Sequence, residues 1–175
     1  MAKNNAWTDS LKKAKVAEDI TRRVYEKLGW IVTDVRDNPQ YQHEDIDFVC
    51  TWDQDKITVE SKSDDTHQYG NFAFETVKNT NTGELGWALT TTADIITIYF
   101  PPIDLMYVLD GPKAVAWFME HQHEFLEKTN HTARREGGVL YDSKFRTVSR
   151  DRLERESGAV LSKFHPLEYL KDKVS

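Results

Sequence analysis

Residues 44–51, Glu44-Asp45-Ile46-Asp47-Phe48-Val49-Cys50-Thr51, and residues 57–63, Ile57-Thr58-Val59-Glu60-Ser61-Lys62-Ser63, decide the reading of this chain. Both runs carry the two-residue period of a β-strand. In the first, Ile46, Phe48 and Cys50 share one face and Asp45, Asp47 and Val49 the other. In the second, Ile57 and Val59 point one way while Glu60 and Lys62 point together the other way. The polar turn Asp53-Gln54-Asp55-Lys56 is short enough to join them as an antiparallel hairpin. Asp47, Glu60 and Lys62 then converge. Hard divalent cations such as Mg²⁺ take oxygen ligands, keep several waters and need only one or two protein carboxylates, so Asp47 and Glu60 suffice as direct ligands. A bound cation lowers the pKa of a water and stabilises charge developing on a phosphoryl group, and a neighbouring ammonium can orient that water. The same Glu-x-Lys spacing also fits a solvated strand face with a surface ion pair worth at most about 1 kcal/mol.

Asp47 followed by Glu60-Ser61-Lys62 resembles the PD-(D/E)XK nuclease superfamily, whose restriction-endonuclease-like core carries an acidic residue and then Glu/Asp-x-Lys on a hairpin after an opening helix. The Pro of that name is absent here, and Asp45 is the alternative first acid. Glu18, in Ala17-Glu18-Asp19-Ile20, stands where many members carry a helix glutamate. Tyr69-Gly70-Asn71-Phe72-Ala73-Phe74-Glu75 and Trp87-Ala88-Leu89-Thr90-Thr91-Thr92-Ala93-Asp94 look like a bacteriophage-type branch of the superfamily. The resemblance spans roughly residues 16–109. It implies an α/β fold with a mixed β-sheet flanked by helices and a Mg²⁺-dependent phosphodiesterase, with Mn²⁺ as the substitute ion. Asp47 and Glu60 would hold the metal, Lys62 would orient the attacking water, and Glu18 would assist through a metal-bound water.

Composition fits one domain over residues 1–175, with a core at about 10–128 and a locally basic extension at about 132–175. With 39% hydrophobic residues the chain can bury a sizeable core, while a mean hydropathy of -0.65 and no apolar run approaching membrane length leave no spanning helix to expect. Met1 to Trp7 shows no apolar signal-peptide region, and one cysteine cannot form an intrachain disulfide, so a reducing cytoplasm is expected, that of a host cell if the gene is phage-borne. A net charge of -6 argues that phosphate binding must come from local basic faces, not from the average field.

Along the chain, Asp9 or Ser10 can cap a helix from Leu11 to Leu28 whose stripe is Val16, Ala17, Ile20, Val24 and Leu28, with Gly29 as its stop. Trp30–Val35 reads as a strand and residues 37–43 as a loop. Residues 63–71 form a polar loop near the hairpin mouth that offers His67 and Gln68 as substrate contacts. Phe72–Val77 is a strand with Phe72, Phe74 and Thr76 on one face and Ala73, Glu75 and Val77 on the other, which makes Glu75 a metal-proximal or substrate-facing acid. Residues 78–86 read as a loop, Ala93–Phe100 as a central strand, Leu105–Leu109 as another, and Pro112–Lys128 as a helix. His121 and His123, two apart on that helix, do not face each other, and Trp117, Phe118, Phe125 and Leu126 are core.

The last third carries Arg134, Arg135, Lys144, Arg146, Arg150, Arg152 and Arg155 with Tyr141 and Phe145 between them, a pattern that can track a nucleic-acid backbone, Arg134 and Arg135 being the leading substrate contacts. Its interleaved acids fit a salt-bridged surface equally well. The expectation is a deoxyribonuclease, endonucleolytic, with DNA preferred to RNA, no membrane partner, and a homodimer as the alternative to a monomer. Two rivals are a nuclease-like fold that binds or regulates without turnover, and an enzyme cutting RNA or branched DNA. Lys62 is expected to face a solvated cleft, so that its loss would spare stability.

Overall fold

A 23-residue helix, α1 (Asn5–Lys27), opens the computed structural model, which describes residues 5–65, 67–132 and 141–171. The helix runs through the expected caps Asp9 and Ser10, since no Pro or Gly interrupts residues 5–10. Its buried stripe is Ala17, Ile20, Thr21, Val24 and Tyr25, whereas Val16 and Leu28 are about half exposed. A stripe read from apolar residues alone is displaced because Thr21 is buried for its hydrogen bonds: its hydroxyl meets Ser61 Oγ at 2.9 Å and Thr97 Oγ1 at 3.1 Å.

The chain continues through β1 (Ile31–Asp34), α2 (Pro39–His43), β2 (Phe48–Trp52) and β3 (Asp55–Ser63). Where a loop was expected before β2, α2 forms because Asn38 caps it, accepting from the Gln40 N–H, and Pro39 occupies its first position. The β2–β3 hairpin forms as read, antiparallel with Phe48 opposite Val59 and Trp52 opposite Asp55. Then come β4 (Asn71–Asn79), β5 (Glu84–Leu85), α3 (Trp87–Thr90), β6 (Ile95–Phe100), β7 (Leu105–Asp110) and α4 (Gly111–His121). The final elements are β8 (Glu127–Thr132), β9 (Tyr141–Ser149), α5 (Arg150–Ser157), β10 (Val160–Phe164) and α6 (Pro166–Leu170).

A six-stranded sheet has the order β1-β2-β3-β6-β7-β10, antiparallel throughout except for the parallel pair β3–β6. This is the expected mixed sheet, with β6 near its centre and α1 on one face, where Ala17, Ile20 and Val24 meet Tyr99 and Met106. On the other face Ile96, Ile98, Phe100, Tyr107 and Leu109 join Phe72 and Phe74 of β4, Trp117 and Phe118 of α4, and Leu153 of α5 in the largest core. The layer that covers this second face was not expected: a separate antiparallel sheet, β5-β4-β9-β8. The C-terminal region contributes two strands to these sheets, β9 to the second and β10 to an edge of the first. The helix expected over residues 112–128 ends at His121, because Glu127–Thr132 pairs with β9 instead. Phe125 is buried as read, but Leu126 is exposed.

Candidate functional site

The parallel register sets Glu60 beside Ile96, Ser61 beside Thr97 and Lys62 beside Ile98. Alternation therefore divides β3: Ser61 turns to Thr21 of α1, and Glu60 and Lys62 turn to the opposite face, toward α3. Asp47, one residue before β2, stands across from Glu60 in the hairpin register. Its backbone N–H donates to Val59 O at 3.0 Å, and its Oδ2 accepts the Ser61 N–H at 2.8 Å, which fixes the carboxylate at the mouth of the hairpin. Asp47, Glu60 and Lys62 line one polar cleft of ≈ 470 Å³ together with Arg36, Gln42, His43, Asp45, Ile46, Lys78 and Glu84. The convergence read from the two strands is present.

Glu60 is 2% exposed and forms an ion pair with Lys62, whose side chain is 31% exposed. Burial, opposed by the Lys62 ammonium and reinforced by Asp47 and Asp45, pushes the Glu60 carboxyl up to about 8. Burial also works against the Lys62 charge, but Glu60, Asp47 and Asp45 outweigh it and hold that ammonium above the ordinary lysine range. Lys62 lies over the Trp87 ring, 5.9 Å from its centroid, and Trp87 packs on Phe74. The lysine therefore has a carboxylate partner and an aromatic floor. Lys62 lines the cleft as expected and is partly exposed, but its pairing with a buried carboxyl ties it to the fold as well.

Glu18 lies on α1, which covers the other face of the sheet, and its carboxylate binds the Arg36 guanidinium. Arg36 also grips Asp34, with Nε 2.9 Å from Oδ1, and lies 5.6 Å from the centroid of the Phe48 ring. Arg36 lines the cleft, so Glu18 adjoins the site through the arginine it holds. Glu75 is part-buried on β4; burial raises its carboxyl above the usual range, against the pull of Lys62 and Lys78, so it lies within the field of the cleft. A Cβ on Gly86 would collide with the Glu75 carbonyl oxygen, so this close approach of α3 to β4 requires glycine. Gln68 is exposed in the short turn His67–Tyr69 and is not among the residues that line the cleft. Arg134 and Arg135 lie outside the described residues.

The remaining basic residues of the last third are engaged. Lys144 and Arg146 pair with Glu127, Arg152 with Glu124 and Glu156, and Arg155 with Glu156. The Arg150 guanidinium lies 4.8 Å from the Phe100 ring centroid. Of the two readings of this region, the described residues favour the salt-bridged surface. Arg36, His43 and Lys78, which bring positive or donor groups to the cleft itself, had no motif to flag them; each is a lone polar residue in or beside a short element. A correction concerns Ile46. It packs with Val35, Val49 and Ala93, not on the Phe48 and Cys50 face, because β2 begins only at Phe48 and residue 45 breaks the extended chain.

A part-exposed carboxylate, Asp47, and a buried one, Glu60, both lining a polar cleft, are oxygen donors of the kind a hard cation takes. Among the described residues no group of three or more His, Cys, Asp or Glu side chains is placed to hold an ion. The larger groove, ≈ 520 Å³, lies elsewhere and is apolar, lined by Val24, Leu28, Phe164 and Tyr169 among others. No helix among the described residues is long and apolar enough to cross a membrane.

No protein-family model matches the chain, and no curated protein matches it. Among solved structures, the bacterial homing endonuclease I-Ssp6803I is similar over 61% of this chain and 72% of its own, at 15% identity and a TM-score of 0.43. A likeness of that size carries no functional inference, and the reading of the site rests on its own geometry.

Proposed function

We propose that this chain is a metal-dependent nuclease that hydrolyses phosphodiester bonds, DNA before RNA, on a core of the PD-(D/E)XK kind. The observation that carries the proposal is the placement of Asp47, Glu60 and Lys62 together at the mouth of the β2–β3 hairpin, in a polar cleft of ≈ 470 Å³. Asp47 and Glu60 would hold Mg²⁺ or Mn²⁺, which when bound would supply an activated water and charge stabilisation at the phosphoryl group. Lys62 orients the attacking water and offsets charge on the phosphoryl oxygens, and the Trp87 ring limits its wandering. Glu18 fixes Arg36 at the rim, where the guanidinium can meet a flanking phosphate.

The test is incubation of the purified protein with supercoiled plasmid, linear DNA and RNA in Mg²⁺, Mn²⁺ or EDTA. Cleavage that needs the cation and is lost in Asp47→Asn and Glu60→Gln supports the proposal. A protein that cuts none of these substrates yet binds DNA in gel shifts is a nuclease-like binding module instead.

A further inference from the structure

Asp45 stands at the C-terminal end of α2 in a left-handed conformation, φ 46°, that favours glycine. The turn is complete. Ile46 N–H donates to Tyr41 O at 3.0 Å and Asp45 N–H to Gln42 O at 3.4 Å, while Ile46 and Tyr41 share a cluster of apolar side chains. These are the two reversed hydrogen bonds and the apolar contact of a Schellman helix stop, in which glycine is the usual residue at the position Asp45 fills. Nothing in the turn itself calls for a carboxylate.

The carboxylate is nevertheless held and aimed. The Thr90 hydroxyl donates to it, the Thr91 hydroxyl donates to the Asp45 carbonyl at 3.2 Å, and Thr92 N–H donates to Glu44 O at 3.0 Å. The threonine run singled out in the sequence thus fastens the segment that leads into Asp47. Asp45 lines the cleft with Lys62 and Lys78 on its walls, and also a smaller pocket of ≈ 210 Å³ that continues from it past Thr90 and Leu85.

We propose that Asp45 is a positioning residue of the cleft: its carboxylate, clamped by Thr90, holds the water shell of the cation that Asp47 and Glu60 ligate. This rests on the metal-dependent reading of the site. Asp45 lines the same cleft as Asp47 and Glu60 while its carboxylate already accepts from Thr90, and this assigns it to the outer shell.

The helix stop makes the test clean, since Asp45→Gly keeps the left-handed turn and Asp45→Asn keeps both the turn and an acceptor for Thr90. In EDTA both variants should melt at or above the wild-type temperature. Mn²⁺ affinity, read by calorimetry without nucleic acid, should fall about tenfold or more in both, as for loss of an outer-shell partner, and cleavage at subsaturating Mn²⁺ should fall with it. Thr90→Val should show a smaller loss of the same kind. If Asp45→Gly or Asp45→Asn binds Mn²⁺ as the wild type does, Asp45 is only a helix stop and this inference fails while the nuclease reading stands. If the wild type binds no divalent cation, the nuclease reading fails first and this one with it.

Discussion

Removing Lys62 should destabilise the metal-free protein, and the size of the effect follows from the burial of its partner. Glu60 is 2% exposed and, with Lys62 beside it, loses its proton only at about pH 8; without the ammonium, burial and the charges of Asp47 and Asp45 keep it protonated to higher pH, so the pair adds stability above pH 8. At pH 9 holding that proton in the variant costs about 1.4 kcal/mol. At roughly 2–4 °C per kcal/mol for a domain of this size, Lys62→Ala should melt about 3–6 °C below wild type in EDTA at pH 9, and by less at pH 7. The double variant Glu60→Gln with Lys62→Ala puts a neutral amide where the carboxyl would have to take up a proton, so about half of the loss should return. A divalent cation supplies the missing positive charge by another route, so millimolar Mg²⁺ should raise the melting temperature of Lys62→Ala more than that of wild type. Thermal melts of the three proteins at pH 9, with and without Mg²⁺, decide the matter. If Lys62→Ala melts with wild type, or the double variant melts no higher than Lys62→Ala, the Glu60–Lys62 pair carries no such coupling and the electrostatic account of the cleft is wrong.

Further outcomes follow from other contacts. Cys50 is fully buried and its burial pushes the thiol up to about 11, so a thiol reagent at pH 8 should leave the folded protein unlabelled and react fully only after denaturant is added; rapid labelling of the native state would refute the burial of β2. Phe74 packs against both Trp87 and Phe118 at ring-centroid distances near 5 Å, so Phe74→Ala should lower stability by about 3–5 kcal/mol in urea denaturation. Its loss should also loosen the floor beneath Lys62 and depress cleavage beyond what the stability change explains. Arg152 is paired with Glu124 and Glu156 and lies over Phe125, so Arg152→Glu should lower the melting temperature while leaving DNA affinity and its salt slope unchanged; a weaker and less salt-dependent complex would return this region to the nucleic-acid surface.

What could be read from the sequence was local. The hairpin, its faces and the convergence of Asp47, Glu60 and Lys62 depend only on a two-residue period and a short turn, both visible in residues 44–63. The central place of β6 was legible because Ile95–Phe100 is apolar on both faces. What escaped depends on pairing at a distance. Glu127–Thr132 is a strand because β9 lies beside it, and nothing within Glu-Lys-Thr-Asn-His-Thr enforces that state. Thr21 was invisible as a core residue because its burial is balanced by hydroxyls from β3 and β6. A Glu-x-Lys pair on a strand is ordinarily exposed; the Trp87 ring of α3 that Lys62 lies over, itself packed on Phe74 of β4, comes from elements distant in sequence.

The strand β3 shows why the site could be partly read yet its energetics could not. Alternation sends Ser61 to one side and Glu60 with Lys62 to the other, and the two sides do different work. On the first, Ser61 joins Thr21 and Thr97 in a neutral, hydrogen-bonded patch that fixes α1 to the sheet. On the second, above the pH of about 8 at which Glu60 ionises, a buried carboxylate, a second one across the hairpin and a single lysine leave more negative than positive charge among the three. A fold keeps such an imbalance at a cost, and a cation of charge two is the simplest group that would remove it. If Mn²⁺ raises the melting temperature of the wild type but not that of Asp47→Asn or Glu60→Gln, the imbalance is the binding site. If the ion leaves all three unchanged, the lysine alone balances the cleft and the metal-dependent reading falls.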